Sequence, residues 1–106
     1  MKMVYIAHPF EGKPENVEKV QQIIMKLLHK YPDVTPYSPL HATGFFYHEF
    51  PYEVGMQHCY ESLRRCDELW ICEGWQNSKG CNLELQYALM HGIPVKFLTS
   101  EGDIWT

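Results

Sequence analysis

No apolar run in this chain of 106 residues approaches the roughly twenty that span a bilayer, so no membrane partner is expected. The opening Met1-Lys2-Met3-Val4-Tyr5-Ile6-Ala7 is too short an apolar stretch for a signal peptide and reads as a first strand. Basic residues are scattered apart from Arg64-Arg65, and the formal charge is −4, which argues against a nucleic-acid polymer as ligand. The four cysteines, Cys59, Cys66, Cys72 and Cys81, contain no C-x-x-C pair; a reduced, cytoplasmic protein is the expectation, with Cys72 in the core. His58, Cys59 and Cys66, with His41 and His48 upstream, lack the paired short spacing of a structural zinc site, so no metal is assigned. No linker, repeat or low-complexity segment divides the chain, and residues 1–106 read as one domain.

What is present is organised around one stretch, Cys66 to Leu85. Leu69, Trp70, Ile71 and Cys72 form a short apolar run, as in a strand buried on both faces. A polar loop containing Gly74 follows, and Asn77 or Ser78 is placed to cap a helix through a side-chain oxygen. Leu85, Ala88 and Leu89 suggest that helix's apolar stripe, and Gly92 with Pro94 closes it. Glu84 therefore stands near a helix start, above the carboxyl end of a central strand, where ligands bind in open parallel sheets.

The remaining segments complete the pattern. Val4 to Ala7 is the first strand, and the loop His8-Pro9-Phe10-Glu11-Gly12 leaves it without the G-x-G-x-x-G of a dinucleotide site. Pro14 opens a helix in which Val17, Val20, Ile23, Ile24, Leu27 and Leu28 keep three-four spacing up to Lys30. Val34 to Tyr37 is a strand interrupted by Pro36 and so belongs near a sheet edge. Ala42 to Pro51 is too aromatic for an ordinary solvated loop: it folds over a ligand site, packs on another subunit or tucks under the core. Val54 to Arg65 reads as a helix, Pro94 to Leu98 as a last strand, and Glu101 to Thr106 as a tail. This β-α-β-α-β-α-β order predicts an α/β fold, a flavodoxin- or Rossmann-like three-layer sandwich with a small parallel sheet of order 2-1-3-4. The segments His8 to Gly12, Ser38 to His41 and Glu73 to Glu84 then converge on one crevice.

Several residues there carry chemistry. A carboxylate such as Glu84 suits a nucleophile at an anomeric carbon, whose transition state is cationic, or a proton acceptor. The bland reading is a glutamate favoured by the helix dipole. His8 and His41 fall at strand carboxyl ends, where histidines meet ligands; Trp75 is expected as a wall stacking on a base and Trp70 as core. Cys81, near a helix start, is either a thiol of lowered pKa or a small packed residue.

The segments Val4 to Gly12, Cys66 to Trp70 and Ser78 to Glu84, with Ala88 and Gly92 to Val95, resemble the nucleoside 2-deoxyribosyltransferase superfamily, and more closely its small phage and bacterial branch. The likeness runs in order along nearly the whole chain, leaving out Ala42 to Tyr52. It implies a glutamate nucleophile at Glu84, within S-x-G-x-x-x-E, with the hydroxyl of Tyr5 beside it. It further implies that His8, Pro9, Phe10 and Gly12 line the sugar or phosphate side, and that Ser78 and Gly80 hold the ligand. Asp67 matches an aspartate read as structural. The chain departs from the pattern at Ser78, where transferases often carry a base-handling aspartate, and at Glu11, which would repel a phosphate.

Two functions follow as expectations. The first is an N-glycoside hydrolase or transferase acting on a nucleoside, nucleotide or nucleotide-derived molecule, needing no cofactor. The second is a phage-type, non-catalytic protein that sequesters a nucleotide signal. A homo-oligomer is expected in either case, from the aromatic stretch Phe45 to Tyr52 and the resemblance.

Overall fold

Alternation along two central strands decides which helix packs on which face. The structure is a computed structural model and describes residues 1–105; Thr106, the end of the tail, lies outside the described residues. In β1 (Lys2–Ala7), Val4 and Ile6 point to one face and Tyr5 and Ala7 to the other, all fully buried. In β3 (Glu68–Cys72), Trp70 and Cys72 join the first set, Leu69 and Ile71 the second. The first face is covered by α1 (Pro14–Lys30) through Val20, Ile23 and Leu27. The second is covered by α3 (Tyr52–Arg64) and α4 (Lys79–Met90), through Leu63, Cys81 and Ala88. The edge strands are β2 (Val34–Tyr37) and β4 (Val95–Leu98).

The sheet is parallel throughout, in the order β2-β1-β3-β4, a flavodoxin- or Rossmann-like α/β sandwich of three layers. Pro36 sits opposite Val4 on the edge strand, where its missing N–H leaves no second neighbour unpaired. The α3 helix begins at Tyr52, two positions before the Val54 expected from sequence, and the stretch after β2 is not plain loop. It opens with one turn of helix, α2 (Pro39–Ala42), and a 3-10 turn at Gly44–Phe46. Among the described residues, no helix is long and apolar enough to cross a membrane.

Polar contacts pin the amino-terminal end of the sheet. Asp67 accepts a hydrogen bond from Met3 N at 2.8 Å and returns one from its own N–H to Met3 O, also 2.8 Å, tying the start of β3 to β1. Glu68 is buried, but it accepts from Trp70 Nε1 at 2.9 Å and meets Lys2 and Lys96. Burial pushes its carboxyl pKa up, yet the bonds from Lys2, Trp70 and Lys96 outweigh that and bring it down to about 2.

After β4 the chain turns back, and Ile104 bridges Leu98 antiparallel and packs on the α1 side of the core, with Trp105 left exposed. The turn requires Gly102, whose φ is +79° and whose missing side chain makes room for α1: a methyl there would stand 2.8 Å from Leu27 N. Gly102→Ala is therefore expected to lower stability by about 1–3 kcal/mol in urea unfolding. An unchanged unfolding midpoint contradicts this packing.

Candidate active site

The adjacent strands β1 and β3 send their following helices to opposite faces, which opens a crevice at their carboxyl ends. Beyond β3, Gly74 takes a left-handed φ of +88° and the chain makes a 3-10 turn at Trp75–Asn77. The Ser78 hydroxyl accepts from Cys81 N at 3.2 Å as the N-cap of α4. The Asn82 side-chain amide donates to the carbonyls of Trp75, Gln76 and Ser78 at 3.0, 3.1 and 2.8 Å and locks this entry turn. The buried face of α4 is Cys81, Glu84 and Ala88, a three-four series, with Leu85 half-buried beside it. Leu89, expected in the apolar stripe, is 67% exposed, because the buried face is centred on Glu84 instead.

Glu84 is thus a carboxylate inside the core, only 5% exposed. The Tyr5 hydroxyl, from the α4-facing side of β1, donates to its Oε2. Among the described residues no other hydrogen bond reaches this carboxylate, yet no buried side-chain oxygen lacks a partner, so Oε1 keeps access to the adjoining space. Burial raises the Glu84 pKa to about 7, against the opposing hydrogen bond from Tyr5. The Tyr5 hydroxyl is pushed well above its usual value by burial and by the Glu84 charge, so it remains a neutral donor.

That space is a cavity of about 310 Å³, at the small end of the range for small-molecule sites. Its floor is Glu84 with Ser78, Gly80 and Cys81 of the α4 start; one wall is Tyr52, Met56 and Cys59 of α3; His8, Phe10 and Glu11 stand at the β1 end. Thr43, Gly44, Phe46, Tyr47, Phe50 and Pro51 form a strap across it. The aromatic stretch Ala42 to Pro51 therefore folds over the crevice. Phe10 meets Tyr47 edge-on at 4.9 Å, and Gly12 gives the strap its seat, since a methyl there would lie 2.5 Å from His48 Nε2.

Of the residues singled out from the sequence, Glu84, His8, Phe10, Ser78 and Gly80 share the cavity, and Tyr5 lies behind Glu84. His8 is half-buried and burial lowers its pKa; its Nδ1–H donates to Pro9 O at 2.8 Å, which leaves the Nε2 lone pair free. Four others are not brought there. Pro9 lines a neighbouring open groove against α1, which His8 also borders, and Gly12 is covered by the strap. His41 faces outward because both ring nitrogens are engaged, Nδ1 with Ser38 Oγ at 2.7 Å and Nε2 with Gln21 Oε1 at 3.1 Å. Pro39 and Leu40 take its place at the cavity. Trp75 is carried by its 3-10 turn to the β4 side, where it packs on Phe97 at 5.6 Å.

Cys81 is a packed residue, 1% exposed, with its thiol pushed far up by burial and then by Glu84. Sequence reasoning missed the α3 wall: Tyr52, Met56 and Cys59 follow the same three-four spacing as Leu63, a signal that begins two residues before the helix expected from Val54. Burial and the Glu84 charge lift the Cys59 thiol to about 11, so it is a neutral wall group. Among the described residues no three His, Cys, Asp or Glu side chains gather as a metal site requires.

Burying Glu84 has a consequence for stability. Below about pH 4.5 both folded and unfolded chains carry the proton; between there and about 7 only the unfolded chain releases it, so stability falls as pH rises. The full cost, present above pH 7, is about 3 kcal/mol. Glu84→Gln is expected to gain stability relative to the wild type between pH 5 and pH 8, read from urea unfolding at both. A difference that is constant with pH, or that shrinks, contradicts the buried carboxyl.

No curated protein matches the sequence. A family model described as a domain of unknown function, DUF4406, matches residues 2–97, and the chain belongs to that family.

Proposed function

We propose that this chain cleaves or transfers an N-glycosidic bond of a nucleoside, nucleotide or nucleotide-derived molecule, in the manner of the nucleoside 2-deoxyribosyltransferase superfamily. One observation carries the reading: a buried glutamate in S-x-G-x-x-x-E has one oxygen held by a tyrosine and the other open to an aromatic-walled cavity. A glutamate serving only the helix dipole would remain solvated, with an ordinary pKa.

In the first step Glu84 Oε1 attacks the anomeric carbon. The C–N bond breaks, its electron pair passes to the base, and the base takes up a proton from solvent. Tyr5 holds Oε2 and fixes the carboxylate plane, and the developing positive sugar favours the ionised carboxylate that desolvation otherwise opposes. In the second step water or another base attacks the same carbon, the ester C–O bond breaks, the acceptor loses its proton to solvent, and the Glu84 carboxylate is regenerated. Ser78 Oγ accepts from Cys81 N as the cap of α4, which leaves a hydroxyl hydrogen and no carboxylate at the position of the base-handling aspartate.

The test is to incubate wild type and Glu84→Gln with nucleosides, 5′-nucleotides and dinucleotides, measuring free base by chromatography and binding by thermal shift. Base release by the wild type is expected, with a loss of more than about 10³-fold in the variant while binding is kept. With the free-enzyme carboxyl near 7, kcat/KM is expected to rise with pH up to about that value and then level. Ligand stabilisation of both proteins with no base released contradicts the enzyme reading and leaves a non-catalytic nucleotide binder.

A further inference from the structure

The strap comes from the stretch that the superfamily resemblance leaves out, and it gives the cavity a roof made largely of aromatic rings. Tyr47 meets Phe10 at 4.9 Å and Tyr52 at 6.4 Å, both edge-on, and Phe46 meets Phe50 at 5.9 Å in the same way. These rings also line the enclosed space, so a planar ligand ring entering it meets aromatic surface.

The roof itself brings few polar side-chain groups to the edge of a base. Thr43 Oγ1 gives its hydrogen to Pro39 O at 3.0 Å and keeps only acceptor capacity, and Ser78, whose Oγ accepts from Cys81 N, stands on the floor beside Glu84. The hydroxyls of Tyr47 and Tyr52 donate or accept alike, so neither separates an amino from a keto substituent. The Lys79 ammonium is held 4.7 Å over the Tyr52 ring. Glu84 is committed to the anomeric carbon, Glu11 is exposed, and His8, which lines both this cavity and the next groove, stands at the β1 end. No Asn, Gln, Asp or Arg side chain is among the described residues that line the cavity.

We infer that the base is held by stacking in this roof and selected by ring size and shape, not by the donor–acceptor pattern of its edge. The inference rests on the proposed N-glycoside reading for the kind of ligand, but its test does not need turnover. Calorimetric titration of Glu84→Gln with matched pairs, adenosine against inosine and cytidine against uridine, each also as the 5′-phosphate, compares ligands that keep the ring and exchange amino for keto.

Within each pair Kd is expected to agree to within about 100-fold, which is the limit for a pocket without edge readout; a site built to hydrogen-bond the edge reaches about 10⁴-fold or more. Phe46→Ala is expected to weaken both members of a pair equally, by about tenfold, as loss of a stacking ring does. Phe46→Leu, which keeps apolar bulk without the ring, guards against a folding defect and should weaken both members together as well. A ratio above about 100 within either pair, a variant that weakens only one member, or no binding by any of these ligands overturns the inference. Weak discrimination in binding with no base released by the wild type leaves this inference standing and removes the glycosidase reading. Base release with strong preference for one member of a pair does the reverse.

Discussion

The hydrogen bond from Tyr5 to Glu84 joins the central strand β1 to α4 across the inner face of the fold, and it explains why a carboxylate is tolerated there at all. Among the described residues two glutamates are buried, and their surroundings push them in opposite directions. Glu68 sits among Lys2, Lys96 and the Trp70 indole and is drawn down to about 2. Glu84 has one neutral donor and is pushed up to about 7. The first is compensated as a structural ion pair should be. The second is left under-compensated beside a cavity, and this contrast supports the chemical role proposed for it.

A few local contacts set the shape of the cavity beside this carboxylate. The Ser78 cap and the Asn82 bonds fix where α4 begins, and hence which of its residues face inward. Gly80 lets α3 approach: a methyl at that position would lie 3.1 Å from the Tyr52 hydroxyl oxygen. At the other end Gly12 lets His48 and Tyr47 close down on the β1 loop. Small residues at both contacts set how far the strap and the α3 wall can come in, and so the size of the space.

Much of this was legible in the sequence, and the reasons are specific. The apolar run Leu69 to Cys72 and the spacing of Val20, Ile23 and Leu27 fixed one strand and one helix, and with the β-α alternation they predicted the sheet order that is found. The motif from Ser78 to Glu84 located the carboxylate. What could not be read was the direction in which loop side chains turn. His41 looked placed for a ligand, but its partners Ser38 and Gln21 hold it outward, and one of them lies 20 positions away on α1. Trp75 follows a 3-10 turn that no local pattern announces. The aromatic strap was visible as an anomaly of composition, while its resting place depends on the distant glycines and on Phe10.

The most direct measurement is the titration of the Glu84 carboxyl itself, followed by carbon-13 NMR of the side-chain carbon with Glu84→Gln as the assignment control. An inflection near 7 is expected, moving higher still in Tyr5→Phe, because the lost hydrogen bond favours the ionised form. An inflection near 4.5 in the wild type, the ordinary value, would show a solvated carboxylate and contradict the account.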